Sequence, residues 1–215
     1  MNSIAFKADT PMEQAGLENS WYETEEIEFR LLTSVTLLRL QSLLAAETLN
    51  VKLAETGIVL PGRVNQATGQ DPSALCLAPR DWMIFSEYLK QDLILNHFQG
   101  RIDPAETSLI DMSSAYAVFR ISGPAAPWLL SKLCGLDFRK GTKAGQHCTR
   151  TRLEQAGAIL HYHQPGSGAV PHVFDVIIER SQARYFWQLL NSNLSHALEL
   201  TKQHGSLHEQ TQLYP

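Results

Sequence analysis

One stretch constrains this sequence more than any other: residues 172–179, His172-Val173-Phe174-Asp175-Val176-Ile177-Ile178-Glu179. Read as a strand, with a side-chain period of two, it turns Phe174, Val176 and Ile178 to one face and Val173 and Ile177 to the other. A strand that is apolar on both faces belongs inside a sheet covered on both sides. A helix follows it, because Ala183, Trp187, Leu190, Leu194 and Ala197 recur at spacings of three and four, and Ser181 is placed to cap its start. The stripe on that helix should lie across the sheet.

The rest of the chain fits around this unit. Residues 148–153 and 158–162 predict strands on either side of Gln155-Ala156-Gly157. Residues 73–77 and 82–85 predict two more, joined by Pro79-Arg80-Asp81 in a loop longer than the tightest hairpin turns allow. A helix within 87–98 would bury Tyr88, Leu89, Leu93, Ile94 and Phe98, with Gly100 ending it. Residues 35–40 read as a strand, 42–53 contain a helix, and 57–62 return as a short extended segment. The same grammar recurs in a strand over 115–121, a helix through Leu130 to Leu133, and Gly135 as a left-handed end. Pro124 is suited to the first position of that second helix, although Pro127 would then forfeit a bond, so Pro127 competes as the true start. Hairpins mixed with helical crossovers give an α+β fold, with mixed or antiparallel sheets, packed helices and a strand–helix–strand repeat. Residues 1–20 are punctuated by Asp9, Thr10, Pro11 and Gly16 and read as a flexible N-terminal tail. Residues 21–200 read as a single domain and 201–215 as a frayed C-terminal tail.

Composition removes several classes of function. The 215 residues carry 18 Lys+Arg against 22 Asp+Glu, so the chain has no broad positive field for nucleic acid. Its apolar runs are interrupted by Arg39, Gln41 and Lys132 and fall short of the roughly 20 residues that a membrane helix needs. Residues 1–9 lack the apolar core of a secretory signal. Three cysteines, Cys76, Cys134 and Cys148, are too few and too scattered for a disulfide framework. The expected setting is cytoplasmic.

Reactive constellations are hard to find. His161 and His163 share a strand face, His147 adjoins Cys148, and His172 lies across a loop. Imidazole and thiolate suit zinc, but the spacing fits no compact zinc signature, so no metal site is expected and the histidines read as sheet residues. Ser167 between Gly166 and Gly168 lacks the strained nucleophile elbow, and Pro124 leaves the turn at Ser122-Gly123 poor in N–H donors. Cys134 falls at the wrong end of a helix for a lowered pKa. Gly141-Thr142-Lys143-Ala144-Gly145 is a plain turn rather than a phosphate cradle, and nicotinamide or flavin fingerprints are missing. No catalytic, cofactor-binding or metal residue is assigned. Arg and Trp are enriched at protein interfaces, which makes Arg63, Arg80, Trp82, Arg120, Arg150 and Arg180 the candidates for a partner surface, with Trp128 and Trp187 assigned to the core.

Several segments carry a resemblance. Asp111-Met112-Ser113-Ser114, Val118-Phe119-Arg120-Ile121-Ser122-Gly123-Pro124 and Leu133-Cys134-Gly135-Leu136-Asp137 are similar to the gamma subunit of heterotetrameric sarcosine oxidase. So are Gly145-Gln146-His147-Cys148-Thr149-Arg150-Thr151 and the joint from Phe174 to Ser181. Leu60-Pro61-Gly62-Arg63-Val64-Asn65 and Leu77-Ala78-Pro79-Arg80-Asp81-Trp82 match further elements, with Ala78 and Asp81 where the family often has Gly and Glu. The stretch through Glu28 matches poorly. The resemblance implies the fold of the folate-binding domain of glycine-cleavage aminomethyltransferases. It also implies a non-catalytic structural subunit of a complex that converts sarcosine, oxygen and tetrahydrofolate to glycine, hydrogen peroxide and 5,10-methylenetetrahydrofolate. FAD, FMN, NAD and tetrahydrofolate would then sit in the alpha and beta partners, with a delta subunit as a further partner. The competing expectation is a stand-alone folate or one-carbon ligand module, with Asp175 or Glu179 holding the pterin edge.

Overall fold

The computed structural model describes residues 21–138, 147–163 and 172–205. The expected tail over 1–20 lies outside these residues, as do Gly141–Gly145 and the 165–168 loop. In chain order the elements are β1 (Trp21–Glu23), β2 (Glu28–Leu32), β3 (Thr36–Ser42), α1 (Ala46–Lys52), β4 (Ala67–Thr68), β5 (Ser73–Ala78), β6 (Asp81–Ser86), α2 (Gln91–Phe98) and β7 (Thr107–Asp111). They continue with β8 (Tyr116–Ser122), α3 (Ala126–Leu133), β9 (His147–Leu153), β10 (Ala156–His163), β11 (Val173–Glu179) and α4 (Ala183–His204). One antiparallel sheet runs β1-β2-β8-β11-β10-β9 and the other β4-β5-β6-β3-β7. The fold is α+β, as expected.

The two sheets pack face to face, and each carries a helical layer on its outer side. The alternation along β11 accounts for this placement. Phe174, Val176 and Ile178 join Phe119, Ile121, Leu129, Leu130, Leu133, Phe186, Leu190 and Leu194 beneath α3 and α4. Ile177 points the other way, where it meets Val118, Ile159, Cys148, Leu37, Leu75, Met83 and Phe85 between the sheets. On the far side of the second sheet, Leu38, Leu40, Trp82 and Ile84 pack against Leu49 and Leu53 of α1 and Ile94 and Phe98 of α2. Each large aliphatic or aromatic side chain so buried stabilises the fold by about 1.5–3 kcal/mol. Among the described residues, no helix is long and apolar enough to cross a membrane.

The strand–helix repeat is present in the topology. β3 is followed by α1 and β8 by α3, each a strand leading into a crossover helix. A hairpin then returns beside the first strand, β5–β6 next to β3 and β10–β11 next to β8. Each central strand takes its remaining neighbour on the other side, β7 beside β3 and β2 beside β8. Because β2 precedes both units in the chain, the sheet built on β8 is completed by a strand delivered from upstream of the unit built on β3.

Several local expectations change for identifiable reasons. Ala78 pairs with Asp81, so the β5–β6 turn holds only Pro79 and Arg80 and is of the shortest kind, with Arg80 at φ +62. Ser181 lies within a 3₁₀ turn over Arg180–Gln182 and makes no cap to α4. Gly135 is not left-handed, because α3 ends at an extended Cys134. α3 begins at Ala126, which puts Pro127 in the first turn, where a missing N–H breaks no bond. On α2 only Ile94 and Phe98 are buried; Tyr88 and Leu89 are exposed ahead of the helix, which starts later than expected at Gln91, and Leu93 is exposed on the helix itself. α4 continues to His204, past the expected fraying point; Thr201 is buried and its hydroxyl donates to the carbonyl of Ala197 at 2.9 Å. Residues 206–215 lie outside the described part.

Gly123 is a turn residue that admits no side chain. Its φ is +109, and a Cβ there would stand 2.6 Å from the Glu26 carbonyl oxygen, because the chain entering β2 runs against this turn. Gly123→Ala is expected to destabilise the protein by about 1–3 kcal/mol, the usual cost of a strained backbone position, read as a lowered urea midpoint. Gly135→Ala meets nothing within 4 Å and should change stability by less than about 0.5 kcal/mol. Equal effects at the two positions would show that the Gly123 contact is not a constraint.

Candidate functional site

The registers of β8, β11 and β10 bring the polar residues of the inner face together. Asp175 pairs directly with Arg120 on one side and His161 on the other. Directly paired residues share a face, and His163 lies two positions further along the same face. This face looks at the second sheet, from which Phe85 meets the His161 ring edge-on at 6.2 Å. Arg120 donates Nε–H to Asp175 Oδ1 at 2.7 Å and Nη2–H to Oδ2 at 2.9 Å, a bidentate pair. Its Nη1 reaches Glu87 Oε1, just past the end of β6, at 2.6 Å. His163 Nε2 closes on Asp175 Oδ2.

Burial dominates the electrostatics of this cluster. It would raise the Asp175 carboxyl, but the hydrogen bonds from His163 and Arg120 outweigh it and hold the group well below the usual carboxylate range. Burial likewise opposes the charge on Arg120, yet Asp175 and Glu87 together raise that guanidinium above its ordinary value. Burial and then the neighbouring His163 push His161 down to about 3, so this imidazole is neutral.

A second ion network spans the sheets. Arg39 on β3 donates to both oxygens of Asp81 on β6, at 3.1 and 2.9 Å, and Arg150 on β9 of the opposite sheet reaches Asp81 Oδ2 at 3.3 Å. Arg120 and Arg150 were expected on a partner surface. Arg120 is instead 13% exposed and joins the two sheets of its own chain, whereas Arg150 reaches across the sheets but keeps an exposed side chain. Trp82 is also corrected: it is 2% exposed, packs beneath α1 and α2, and donates its indole N–H to the carbonyl of Pro61 at 2.9 Å. Arg180 is half-buried and its Nη1 lies 3.4 Å from the Ser114 carbonyl oxygen. Arg63 and Arg80 are exposed. Trp128 and Trp187 are half-buried at the edge of the first core rather than within it.

The expected histidine and cysteine patch divides. His161 and His163 meet Asp175, with the three donor atoms within 4.8 Å of one another. His147 instead packs on Tyr162, and Cys148 is sealed between the sheets. Of the two carboxylates offered for a pterin edge, Asp175 is fully buried and Glu179 is exposed. The signal for Asp175 was its position, a single acid inside the most apolar strand of the chain. Nothing in the sequence marked Glu87. All three thiols are raised by burial, Cys148 up to about 12.

Arg120→Ala would leave Asp175 and Glu87 without their cation and should destabilise the isolated chain by about 3–5 kcal/mol. Arg63→Ala should stay within about 0.5 kcal/mol. Similar denaturation midpoints for the two variants would contradict the internal role of Arg120. A thiol reagent at pH 8 is expected to reach Cys134 alone in the native protein, and slowly, but all three cysteines once the chain is unfolded. Fast labelling of Cys148 in the native state would mean that the sheets part readily.

No family model matches the chain. The sarcosine oxidase subunit gamma of Corynebacterium sp. (strain U-96) is 26% identical over 109 residues, which are 50% of this chain and 52% of that protein. The aligned part thus spans about half the length of the curated relative. Among solved structures, the heterotetrameric sarcosine oxidase from Corynebacterium sp. U-96, in complex with pyrrole 2-carboxylate, contains a chain that superposes with a TM-score of 0.72 at 21% identity. That superposition covers 88% of this chain and 95% of that one. Glycine cleavage system aminomethyltransferase T from Bartonella henselae gives a TM-score of 0.54 at 14% identity, covering 75% of this chain and 44% of that one. The chain is thus similar in sequence to the gamma subunit of sarcosine oxidase, and it has the fold of a chain of the heterotetrameric enzyme, related to that of aminomethyltransferase T.

Proposed function

We propose that this chain is a non-catalytic structural subunit of a heterotetrameric sarcosine oxidase complex. The reading is carried by the superposition, which takes in 95% of a chain that exists as part of such an assembly. In the complex, sarcosine would be oxidised with oxygen as acceptor, and its one-carbon unit passed to tetrahydrofolate. FAD, FMN, NAD and the folate would be bound by the alpha and beta partners, with delta as a further subunit, in the cytoplasm. The inner arginine supports the reading indirectly. With Arg120 committed to holding the sheets together, the exposed Arg63, Arg80 and Arg150 are the members of the expected set that can face a partner.

The competing reading, a stand-alone folate module, draws no support from the carboxylates that suggested it. Both oxygens of Asp175 are engaged by Arg120 and one of them also by His163. Glu179 is an exposed residue at the end of β11.

Affinity isolation of the tagged chain from its native cells, followed by mass determination, should recover a complex with flavin absorbance and oxidase activity toward sarcosine. An alpha–beta enzyme of full activity and stability in cells lacking this chain would refute the assembly role. Charge reversal at the surface, Arg63→Glu with Arg80→Glu, should leave the fold intact and weaken recovery of the complex by about tenfold or more. Unchanged recovery would move the contact elsewhere. Calorimetric titration of the isolated chain with tetrahydrofolate is expected to show no heat, and a saturable signal would favour the competing reading.

A further inference from the structure

His161 presents an unusual polar group. Its side chain has no exposed surface, and neither Nδ1 nor Nε2 has a hydrogen-bond partner. A buried imidazole nitrogen left unmatched is costly, because it has given up its bonds to water for nothing. Nδ1 stands 3.8 Å from Asp175 Oδ2, and the ring lies against that of His163, with centroids 4.1 Å apart. We propose that His161, His163 and Asp175 form a binding site for a single divalent transition-metal ion, of the zinc or cobalt class, held between the two sheets.

Three features of the cluster favour this class of ligand. Two imidazoles and one carboxylate make a donor set suited to borderline ions such as Zn²⁺ and Co²⁺ rather than to Mg²⁺ or Ca²⁺, which prefer oxygen alone. The spread of the donor atoms, up to 4.8 Å, is near what one ion needs. Ligands at about 2.1 Å from a tetrahedral centre stand about 3.4 Å apart, so small ring rotations close the gap. Finally, Arg120 with Asp175 and Glu87 gives one positive charge against two negative ones, so the cluster holds a surplus negative charge when the imidazoles are neutral.

Arg120 does not block the site. A carboxylate offers about four lone-pair positions, and the guanidinium uses one on each oxygen, leaving Oδ2 able to bind an ion in place of its contact with His163. Arg120 then serves as the outer partner that orients the ligating carboxylate, a role commonly filled by a hydrogen-bond donor. Its positive charge limits affinity without removing a donor. His163, at 16% exposed, gives the ion its path from solvent.

The test uses the full chain, stripped with chelator and titrated with Co²⁺ and then Zn²⁺. One Co²⁺ per chain is expected, with the visible absorption of a low-coordinate site that Zn²⁺ abolishes, and with a raised thermal midpoint. His163→Gln should weaken Co²⁺ binding by more than the about 10–100-fold that loss of an outer-shell partner costs, and His161→Gln should do the same. The exposed His196 serves as the control, and His196→Ala should leave binding unchanged. Because His163 is partly exposed, its variant reports even if the one at His161 fails to fold. Absence of stoichiometric Co²⁺ binding, or binding that survives His163→Gln unchanged, would overturn the proposal. Neither result bears on the assembly role, which is read from the recovered complex.

Discussion

The seam between the sheets is the feature on which the other layers depend. Its centre is apolar, built from Leu37, Leu75, Met83 and Phe85 against Val118, Ile159 and Ile177. Such surfaces are non-directional and by themselves would tolerate sliding. The charged groups set into the seam do not. Asp175 is matched by Arg120, which also reaches Glu87, and Asp81 is matched by Arg39 and Arg150. A buried pair of this kind adds little over an apolar replacement of the same shape, but breaking it by displacement is costly. The ion networks therefore act as register marks. They stabilise one relative placement of the sheets mainly by penalising the others.

Connectivity reinforces that placement. Each half of the molecule follows the same plan, with a central strand, a crossover helix and a returning hairpin, yet the halves are not independent in the chain. β2 completes the sheet built on β8 but is connected directly to β3, the central strand of the other sheet. The Gly123 turn records the same crossing, because the segment entering β2 passes too close for any side chain. At the opposite side of the sandwich, Gln66 bridges to His147 and Cys148 N–H donates to the Asn65 carbonyl, so the sheets nearly join there. A body tied at both sides suits a rigid scaffold, in which opposed surfaces hold a constant relation.

What could be read from the sequence was whatever depends on local periodicity. The strand at Val173–Glu179 and the stripe of α4 were legible because both faces of the one and one face of the other are written in consecutive residues. The fold class and the repeated strand–helix unit followed from that. Tertiary pairing was less visible. Arg120 looks like a surface residue in sequence because nothing local announces Asp175, which lies 55 positions away; the reach of Arg150 to Asp81, 69 positions away, is equally invisible. Trp82 was placed outside since its stretch is apolar on both faces and periodicity alone could not say which layer covers it. The turn at Pro79-Arg80 was drawn too long because Arg80 adopts a left-handed conformation that favours Gly or Asn. Asp175 carried a usable signal, since an acid inside an otherwise apolar strand has to be paired or cost several kcal/mol.

The same reasoning explains why a chain without a legible reacting centre still keeps a polar one. An aminomethyltransferase-like architecture places two sheets face to face, and the strands there must present something to the gap at every second residue. Apolar side chains fill most of it, and long polar side chains can span the rest while finding partners. Arg120, Glu87, Asp175 and the two histidines form one such cluster, and Arg39, Asp81 and Arg150 form a separate bridge. A buried arginine committed in this way, as Arg120 is, is unavailable to a partner, because pulling it out would leave Asp175 without its cation in the interior. In the proposed assembly, contacts with other subunits would then be made by residues whose loss leaves the seam intact, so that the outer surface can vary while the fold stays fixed.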